Sequence, residues 1–258
     1  ETTTNGPRQQ LMSYHLAKYY FVRQDFARAV VYYESSGYDN LSNDEIADAK
    51  FQLAYSYFSM KDYSKAKPLF NEIHQLSSNK YFADANYYYG YICFKDGSYN
   101  DALSAFKQVE GNDKYSNRVA YYIAQIYYFQ GHKEQALQYS EAVLRRGTVE
   151  NKKELNLLLG QIYFEQKRFD KALPLLEHYV QTTDKVSKEV MYELAYCYFD
   201  ANQTDKAIEA FKQLSNEKDS LGQNSMYLLG DLYLKTNQKV NARNAFQYSA
   251  DNNSNSFQ

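Results

Sequence analysis

The residue types that most often carry out chemistry are sparse and scattered in this sequence. The four histidines are far apart, and no His-x-x-x-His pair offers the spacing of two metal ligands on one helix face. They are His15, His74, His132 and His178. No glycine-rich phosphate loop and no Gly-x-Ser-x-Gly nucleophile turn occurs. We therefore expect a protein that is not an enzyme, with no catalytic residue, no metal site and no cofactor.

Two cysteines, Cys93 and Cys197, are widely separated in the sequence. A disulfide requires Cα atoms within about 7 Å of each other. If the repeat organisation described below is correct, the two residues lie about three repeats apart and do not bridge. Cys93 stands where other repeats have an inward-facing tyrosine, so we expect it to be a small core residue.

Charge and composition narrow the classes of partner. The net charge is −2, from 29 basic and 31 acidic residues that are interspersed. Nucleic-acid-binding proteins carry a basic face, so this balance argues against a nucleic-acid partner. No apolar run is long enough for a membrane span. The 29 tyrosines and 15 phenylalanines, with no tryptophan, are more aromatic residues than packing requires.

The stretch from Ala85 to Val109 shows how the chain is organised. It reads as two short amphipathic helices joined by a turn at Gly97. A small residue on the first helix is followed twelve residues later by an alanine on the second, and this pair occurs seven times at a period of 34–37 residues. The pairs are Ala17/Ala29, Ala54/Ala66, Gly90/Ala102, Ala124/Ala136, Gly160/Ala172, Ala195/Ala207 and Gly230/Ala242. We expect the two helix axes to approach closely at these residues.

Larger residues recur at fixed offsets from these pairs. A large residue precedes each small one, as in Leu53 and Leu159, and an aromatic residue follows three positions later in six of the seven repeats, as in Tyr57 and Tyr163. Offsets of three and four residues place these side chains on one helix face, so we expect them to pack inward. Ser42 with Glu45 also predicts a capping box at one helix start.

This pattern resembles the tetratricopeptide repeat family. The Leu-Gly-x-x-Tyr signature of the first helix is present as Leu159-Gly160 with Tyr163 and as Leu229-Gly230 with Tyr233. The Ala-x-x-x-Phe signature of the second helix is present at Ala66/Phe70, Ala102/Phe106, Ala207/Phe211 and Ala242/Phe246. The first-helix tryptophan of the family is absent. The resemblance implies an all-α, right-handed α-solenoid of about seven helix-turn-helix units.

The periodicity sets the expected boundaries. We predict one tetratricopeptide array over residues 9–250, with flexible tails at residues 1–8 and 251–258. The units are expected at about residues 9–41, 42–78, 79–114, 115–148, 149–184, 185–219 and 220–250.

In the proteins that this sequence resembles, the first helices line the inner wall of a groove. The resemblance therefore implies a concave groove whose wall is rich in tyrosine. The residues expected to contact a bound peptide are Tyr14, Phe51, Tyr55, Phe58, Tyr87, Tyr91, Tyr121, Tyr192 and Tyr196. Their rings would bury apolar area and their hydroxyls would form hydrogen bonds. The alternative is that the rings only pack one first helix against the next.

Acidic residues occur early in several first helices, at Asp48, Asp84, Glu154 and Glu189. One interpretation is a negative strip that selects basic ligands. The other is that the carboxylates interact favourably with the helix macrodipole.

The function expected from these features is a scaffold that binds a partner polypeptide segment in the aromatic groove. The alternative is an architectural segment of a longer repeat protein that assembles through its end faces, as a homodimer or by continued repeats. The tyrosine-rich, tryptophan-free repeats look like those of bacterial cell-envelope tetratricopeptide proteins. That resemblance implies a periplasmic or cell-envelope location, and a cytoplasmic location is the alternative.

Overall fold

The computed structural model describes residues 6–147 and 149–251, and within these ranges all regular structure is helical. The helices are α1 (Gly6–Val22), α2 (Phe26–Ser36), α3 (Asn43–Ser59), α4 (Tyr63–His74), α5 (Phe82–Lys95), α6 (Tyr99–Val109), α7 (Ser116–Phe129), α8 (Lys133–Arg146), α9 (Lys152–Glu165), α10 (Phe169–Gln181), α11 (Lys188–Asp200), α12 (Thr204–Lys212), α13 (Ser220–Lys235) and α14 (Lys239–Asp251). Odd-numbered helices are the first helices of the predicted pairs and even-numbered helices are the second. The all-α prediction is confirmed.

The chain divides into two compact units, residues 1–131 and 132–258. The first contains α1–α7 and the second contains α8–α14. The division falls inside the predicted repeat at residues 115–148, between its two helices. Each unit contains three complete helix pairs, α1–α6 in the first unit and α9–α14 in the second.

The chain termini differ from the predicted tails. Helix α1 begins at Gly6, so residues 6–8 belong to a helix, and Asp251 is the last residue of α14. The rest of the predicted tails, residues 1–5 and 252–258, lies outside the described residues.

The turn inside each helix pair has one residue in the left-handed region. It lies seven positions after the small residue of the first helix in every repeat, with φ between 55° and 79°. These residues are Gln24, Lys61, Gly97, Gly131, Lys167, Asn202 and Asn237. Left-handed backbone favours glycine and asparagine. Only four of the seven residues are glycine or asparagine, which is why the residue types alone did not reveal this repeated left-handed position.

Polar side chains cap the N-termini of several helices. Asp25 and Asp62 accept hydrogen bonds from the backbone N–H groups of α2 and α4, and Asp219 does the same for α13. The capping box of Ser42 and Glu45 is formed at the start of α3, as predicted. Each cap satisfies a backbone donor that would have no partner in the first turn.

At the three glycines of these pairs, a side chain of the second helix packs directly against the first helix. A Cβ at Gly90 would lie 2.9 Å from the ring of Phe106, and one at Gly230 would lie 2.7 Å from the ring of Phe246. At Gly160 the nearest atom, the Cβ of Leu175, would be 3.2 Å away. The alanines of the other pairs are at most 1% exposed. The predicted close approach is therefore confirmed for the three pairs whose first member is glycine.

A hydrogen bond joins successive pairs at three junctions. Tyr198 donates its hydroxyl to Glu177 Oε1 at 2.7 Å. The equivalent hydroxyls of Tyr57 and Tyr163 donate to Glu34 and Glu141. In each case the tyrosine lies three residues after the small residue of a first helix, and the glutamate lies five residues after the alanine of the preceding second helix. We call these three contacts the Tyr–Glu contacts.

Replacing Gly90 with alanine should destabilise residues 6–131. Alanine favours a helix by ~1 kcal/mol over glycine. Overpacking against the fully buried Phe106 ring costs ~1–3 kcal/mol, so we expect a net loss of up to about 2 kcal/mol. Urea unfolding would measure it. Gly111→Ala is the control, because a Cβ there meets no atom within 4 Å. A Gly90→Ala protein more stable than wild type would contradict the helix spacing.

Replacing Tyr198 with phenylalanine should remove one Tyr–Glu contact without changing the packing of the ring. We expect a loss of ~1 kcal/mol in the free energy of unfolding, the usual net value of such a bond. Tyr233→Phe is the matched control, because the corresponding second-helix position there is Lys212. Equal effects of the two substitutions, measured by thermal unfolding, would mean that the hydrogen bond to Glu177 contributes nothing to stability.

Candidate functional site

Seven of the nine predicted groove residues lie half-buried at the surface of first helices. They are Tyr55, Phe58, Tyr87, Tyr91, Tyr121, Tyr192 and Tyr196. The other two are buried. Tyr14 is 1% exposed and packs edge-on against Tyr33, with ring centroids 6.5 Å apart. Phe51 is 9% exposed. Tyr14 therefore belongs to the interior, which corrects the expectation that it faces an open groove.

Two tyrosines from the loops between repeats cover part of the predicted surface. Tyr81 stacks on Phe51 with centroids 4.1 Å apart, and Tyr115 stacks on Tyr87 with centroids 4.6 Å apart. Each of these loop tyrosines directly follows a lysine in the sequence, in the repeated dipeptide Lys-Tyr. The sequence interpretation missed them, although this dipeptide was the available signal.

The loop tyrosines and their neighbouring lysines also form hydrogen bonds and ion pairs with acidic residues of the first helices. Tyr81 donates its hydroxyl to Asp48 Oδ1 at 2.7 Å, and Lys80 Nζ lies 2.6 Å from the same oxygen. Burial alone would raise the pKa of Asp48, but these two hydrogen bonds outweigh it and the pKa is lowered. Asp84 likewise accepts hydrogen bonds from the Tyr115 hydroxyl and from Lys114 Nζ. Neither carboxylate therefore belongs to an unpaired negative strip.

Clusters of three rings join neighbouring repeats at the turns. Tyr55 lies 5.8 Å from both Phe21 and Phe26, which are 6.0 Å from each other. The same positions are filled by Phe58, Tyr63 and Tyr91, and by Phe164, Phe169 and Tyr196. The predicted groove rings thus do pack between repeats, as the alternative proposed, yet Tyr55, Tyr91 and Tyr196 keep part of their surface exposed.

The rings of the first compact unit surround a cavity of about 490 Å³, which we call the aromatic cavity. It is lined by Phe21, Val22, Gln24, Phe26, Phe51, Tyr55, Asp84, Tyr88 and Lys114. Tyr88 packs edge-on against Tyr55 with centroids 5.3 Å apart. Five aromatic rings form part of the wall, and Gln24 with the ion pair of Asp84 and Lys114 makes the remainder polar. Such a site favours an apolar or aromatic side chain with a polar group beside it.

The second compact unit has a cavity of about 600 Å³. It is lined by Tyr192, Ser220, Leu221, Gln223, Asn224, Tyr227 and Ser249. Asn224 donates its side-chain amide to the Tyr192 hydroxyl. The lining residues carry no formal charge, so this cavity offers hydroxyl and amide groups around two tyrosine rings.

The pKa of one carboxyl group near these rings is shifted from its ordinary value. Glu193 follows Tyr192 on α11, and Gln161 Nε2 donates to it at 3.2 Å. Burial raises the pKa of Glu193 to about 7, and the charges of Glu165 and Glu189 add to the effect, whereas the bond from Gln161 opposes it. The sequence interpretation missed Glu193, because its position in other repeats is held by residues as different as Tyr88 and Leu158.

Comparisons with known proteins agree with this architecture. A sequence profile of the tetratricopeptide repeat matches residues 51–117 and 121–186, and a second profile of the same repeat matches residues 163–226. Together these matches cover more than half of the chain. The chain belongs to the tetratricopeptide repeat family.

Solved structures with a similar fold are tetratricopeptide repeat proteins as well. YrrB, described as a protein with an unusual peptide-binding site, is 20% identical with a TM-score of 0.58, over 71% of this chain and 92% of its own. MamA AMB-1 is 20% identical with a TM-score of 0.54, over 66% of this chain and 96% of its own. MamA from Desulfovibrio magneticus RS-1 is 19% identical with a TM-score of 0.52, over 68% and 97%. These identities show the fold alone. No curated protein matches the chain in sequence.

The described part of this tetratricopeptide repeat protein contains no cluster of three His, Cys, Asp or Glu side chains that could hold a metal ion. Within the same residues, no helix has the length and apolar character needed to cross a membrane. Cys93 is fully buried, as expected of a core residue. Cys197 is also a buried free thiol, and burial raises its pKa to about 12.

The raised pKa of Glu193 predicts a pH-dependent stability. Between the unfolded pKa near 4.5 and the folded pKa of about 7, the folded chain holds a proton that the unfolded chain has lost. Stability from this group is therefore lost as the pH rises through that interval. Glu193→Gln, which stays neutral, should be more stable than wild type at pH 8 and close to it at pH 4.5.

Urea unfolding at both pH values tests this prediction. Glu154→Gln serves as the control, because Glu154 is exposed and its charge is not among those that raise the pKa of Glu193. A Glu193→Gln effect that is the same at pH 4.5 and pH 8 would show that the group does not titrate as described.

Proposed function

We propose that this protein holds a segment of a partner polypeptide against the aromatic cavity and the adjacent rings of its first helices. Tetratricopeptide repeats are protein-interaction scaffolds, and this chain carries the repeat over most of its length. The observation that carries the proposal is the aromatic cavity itself. Its half-buried rings are fixed in place by their neighbours, so little side-chain entropy is lost when a ligand covers them.

The surface beside the cavity continues the same chemistry. Phe58 lies 5.5 Å from Tyr91, and Tyr91 lies 5.9 Å from Tyr122, so rings succeed one another along α3, α5 and α7. A bound segment could place alternate apolar side chains on successive rings, with hydroxyl groups available for its backbone. The segment expected is therefore an extended or helical peptide with aromatic or aliphatic residues.

Charge contributes little to this recognition. Asp84 is paired with Lys114 at the cavity, and Asp48 is paired with Lys80 nearby. Because both carboxylates already have a cation, we expect the affinity for a peptide to change little with salt concentration.

A second candidate function is an architectural segment that assembles through its end faces. One observation favours it, the exposed apolar side chains of α1. Location in the periplasm or cell envelope remains a proposal that subcellular fractionation would test.

Substitution of Tyr55 in the aromatic cavity, or of Tyr91 beside it, should weaken peptide binding without unfolding the protein. Peptides would be selected from a random library on the wild-type chain. The selected peptides would then be measured against Tyr55→Ala and Tyr91→Ala. We expect each substitution to weaken binding by about tenfold, the effect of losing a central aromatic contact. Because the chain has no tryptophan, a tryptophan in the peptide reports binding by its fluorescence.

Tyr32→Ala is the matched control. Tyr32 is also half-buried, but it lies on the second helix α2 and stacks on Tyr20. Circular dichroism would establish that the three variants keep their helicity. Peptides that bind Tyr55→Ala and Tyr91→Ala as tightly as wild type would remove this surface from the proposed function.

A further inference from the structure

The rings of the aromatic cavity meet at steep angles. Phe21, Phe26 and Tyr55 form a triangle whose centroids are 5.8–6.0 Å apart, and their planes are inclined by 68–72° to one another. Tyr88 adds a fourth ring, inclined by 76° to Tyr55. A cation is attracted to the face of an aromatic ring within about 6 Å of its centroid. Because the sides of the triangle do not exceed this distance, one cation can lie within range of all three rings at once.

The triangle belongs to the junction between one helix pair and the next. Phe21 and Phe26 come from the pair α1–α2, and Tyr55 comes from α3. The same arrangement recurs in the second compact unit as Phe164, Phe169 and Tyr196. The ring geometry of the cavity is therefore a feature of the repeat and does not depend on the free surface of α1.

Elsewhere in the chain, arginine and lysine side chains already lie over aromatic rings. The guanidinium of Arg23 is 4.7 Å from the centroid of Tyr19, and that of Arg168 is 4.6 Å from the centroid of Tyr163. In the described part of the chain, no arginine or lysine lies over any of the five cavity rings. These rings are therefore not used by cations of the protein itself.

One carboxylate oxygen at the cavity also has no partner. Lys114 Nζ and the Tyr115 hydroxyl both donate to Asp84 Oδ1. Within the described residues, Asp84 Oδ2 has neither a hydrogen-bond donor nor a cation, although the side chain is only 20% exposed. Burial raises the pKa of Tyr88 in the cavity wall, and the electrostatic effects of Tyr55 and Asp84 add to it. The cavity therefore favours positive charge.

The lysine at the cavity leaves room for a second cation. The Lys114 side chain is 62% exposed, so its ammonium group can move into water when another cation approaches Asp84. At longer range Lys114 cancels the charge of Asp84. The attraction of a cation into the cavity is therefore short-range, which agrees with the weak salt dependence expected of the whole surface.

We propose that the aromatic cavity binds an arginine side chain of the partner segment, with the guanidinium against the rings and donating to Asp84 Oδ2. This inference rests on the proposed function and names the residue type that the cavity selects. A guanidinium is planar, stacks on aromatic rings and is more weakly hydrated than an ammonium group. The aromatic and aliphatic residues of the segment then lie on the rings beyond the cavity, such as Phe58 and Tyr91.

Other side chains suit the cavity less well. An aromatic or aliphatic side chain would cover the Asp84 carboxylate without offering it a donor, which costs free energy. An acidic side chain would meet the charge of Asp84 directly. A lysine would reach the same oxygen, but its compact and strongly hydrated ammonium group loses more on leaving water.

The peptides selected on the wild-type chain test this inference. We expect their sequences to share an arginine at one position. Replacement of that arginine with citrulline, whose planar urea group is uncharged, should weaken binding to the wild-type chain by at least about tenfold. A selection that yields no binding peptide would overturn the proposed function and this inference with it. Binding peptides that share an aromatic, aliphatic or lysine residue instead would leave the proposed function standing and overturn this inference alone.

Two charge substitutions at the cavity should act in opposite directions. Asp84→Asn removes the charge that the guanidinium meets, so the arginine peptide should bind at least about tenfold more weakly. Lys114→Gln removes the competing cation, so the same peptide should bind a few-fold more tightly. The affinity of the citrulline peptide should change by less than about twofold in either variant. Tryptophan fluorescence of the peptides would measure all four affinities.

Asp48→Asn is the matched control. Asp48 holds the preceding loop through a lysine and a tyrosine as Asp84 does, but it does not line the cavity. Equal weakening by Asp48→Asn and Asp84→Asn would overturn the inference, as would an Asp84→Asn effect that is the same for the arginine and citrulline peptides. The comparison of these two peptides on the wild-type chain decides the matter if circular dichroism shows that Asp84→Asn disturbs the fold.

Discussion

Close packing of second-helix side chains against the small residues of the first helices is the constraint on which the remaining packing depends. At Gly90 and Gly230 the space of a missing Cβ is already filled by a phenylalanine ring of the paired helix. With the two axes this close, the residues three and four positions away are forced into fixed places, inside or at the surface. Each pair then offers the same face to the next pair of its own compact unit, so the interfaces within a unit are similar.

Tyrosine is abundant because three different positions in the repeat require an apolar ring with a polar end. The ring of Tyr198 is buried while its hydroxyl reaches Glu177 on the preceding pair. Tyr81 covers Phe51 and reaches Asp48. Tyr55 packs in a three-ring cluster and keeps part of its surface exposed. Phenylalanine would serve the packing in all three places but would remove the hydroxyl groups that donate to Glu177 and Asp48.

The polar groups that hold the repeats together differ from the surface that is left to bind a ligand. The ion pairs and tyrosine hydroxyls at Asp48 and Asp84 hold the loops between repeats, so these charges are used within the protein. What is left for a ligand is the exposed part of the rings and the second carboxylate oxygen of Asp84.

The sequence alone determined the helices, their pairing, the small-residue contacts and the capping box at Ser42, because these depend on side-chain volume and on neighbours within a few turns. It did not determine that Tyr14 is buried or that Tyr81 covers Phe51, since those outcomes depend on residues from a different helix or loop. Only the tertiary structure decided which carboxylates are paired and how the pKa of Glu193 is raised. Desolvation and hydrogen bonding act between groups about 20–35 residues apart in sequence, and a local pattern of residues does not encode which of them meet.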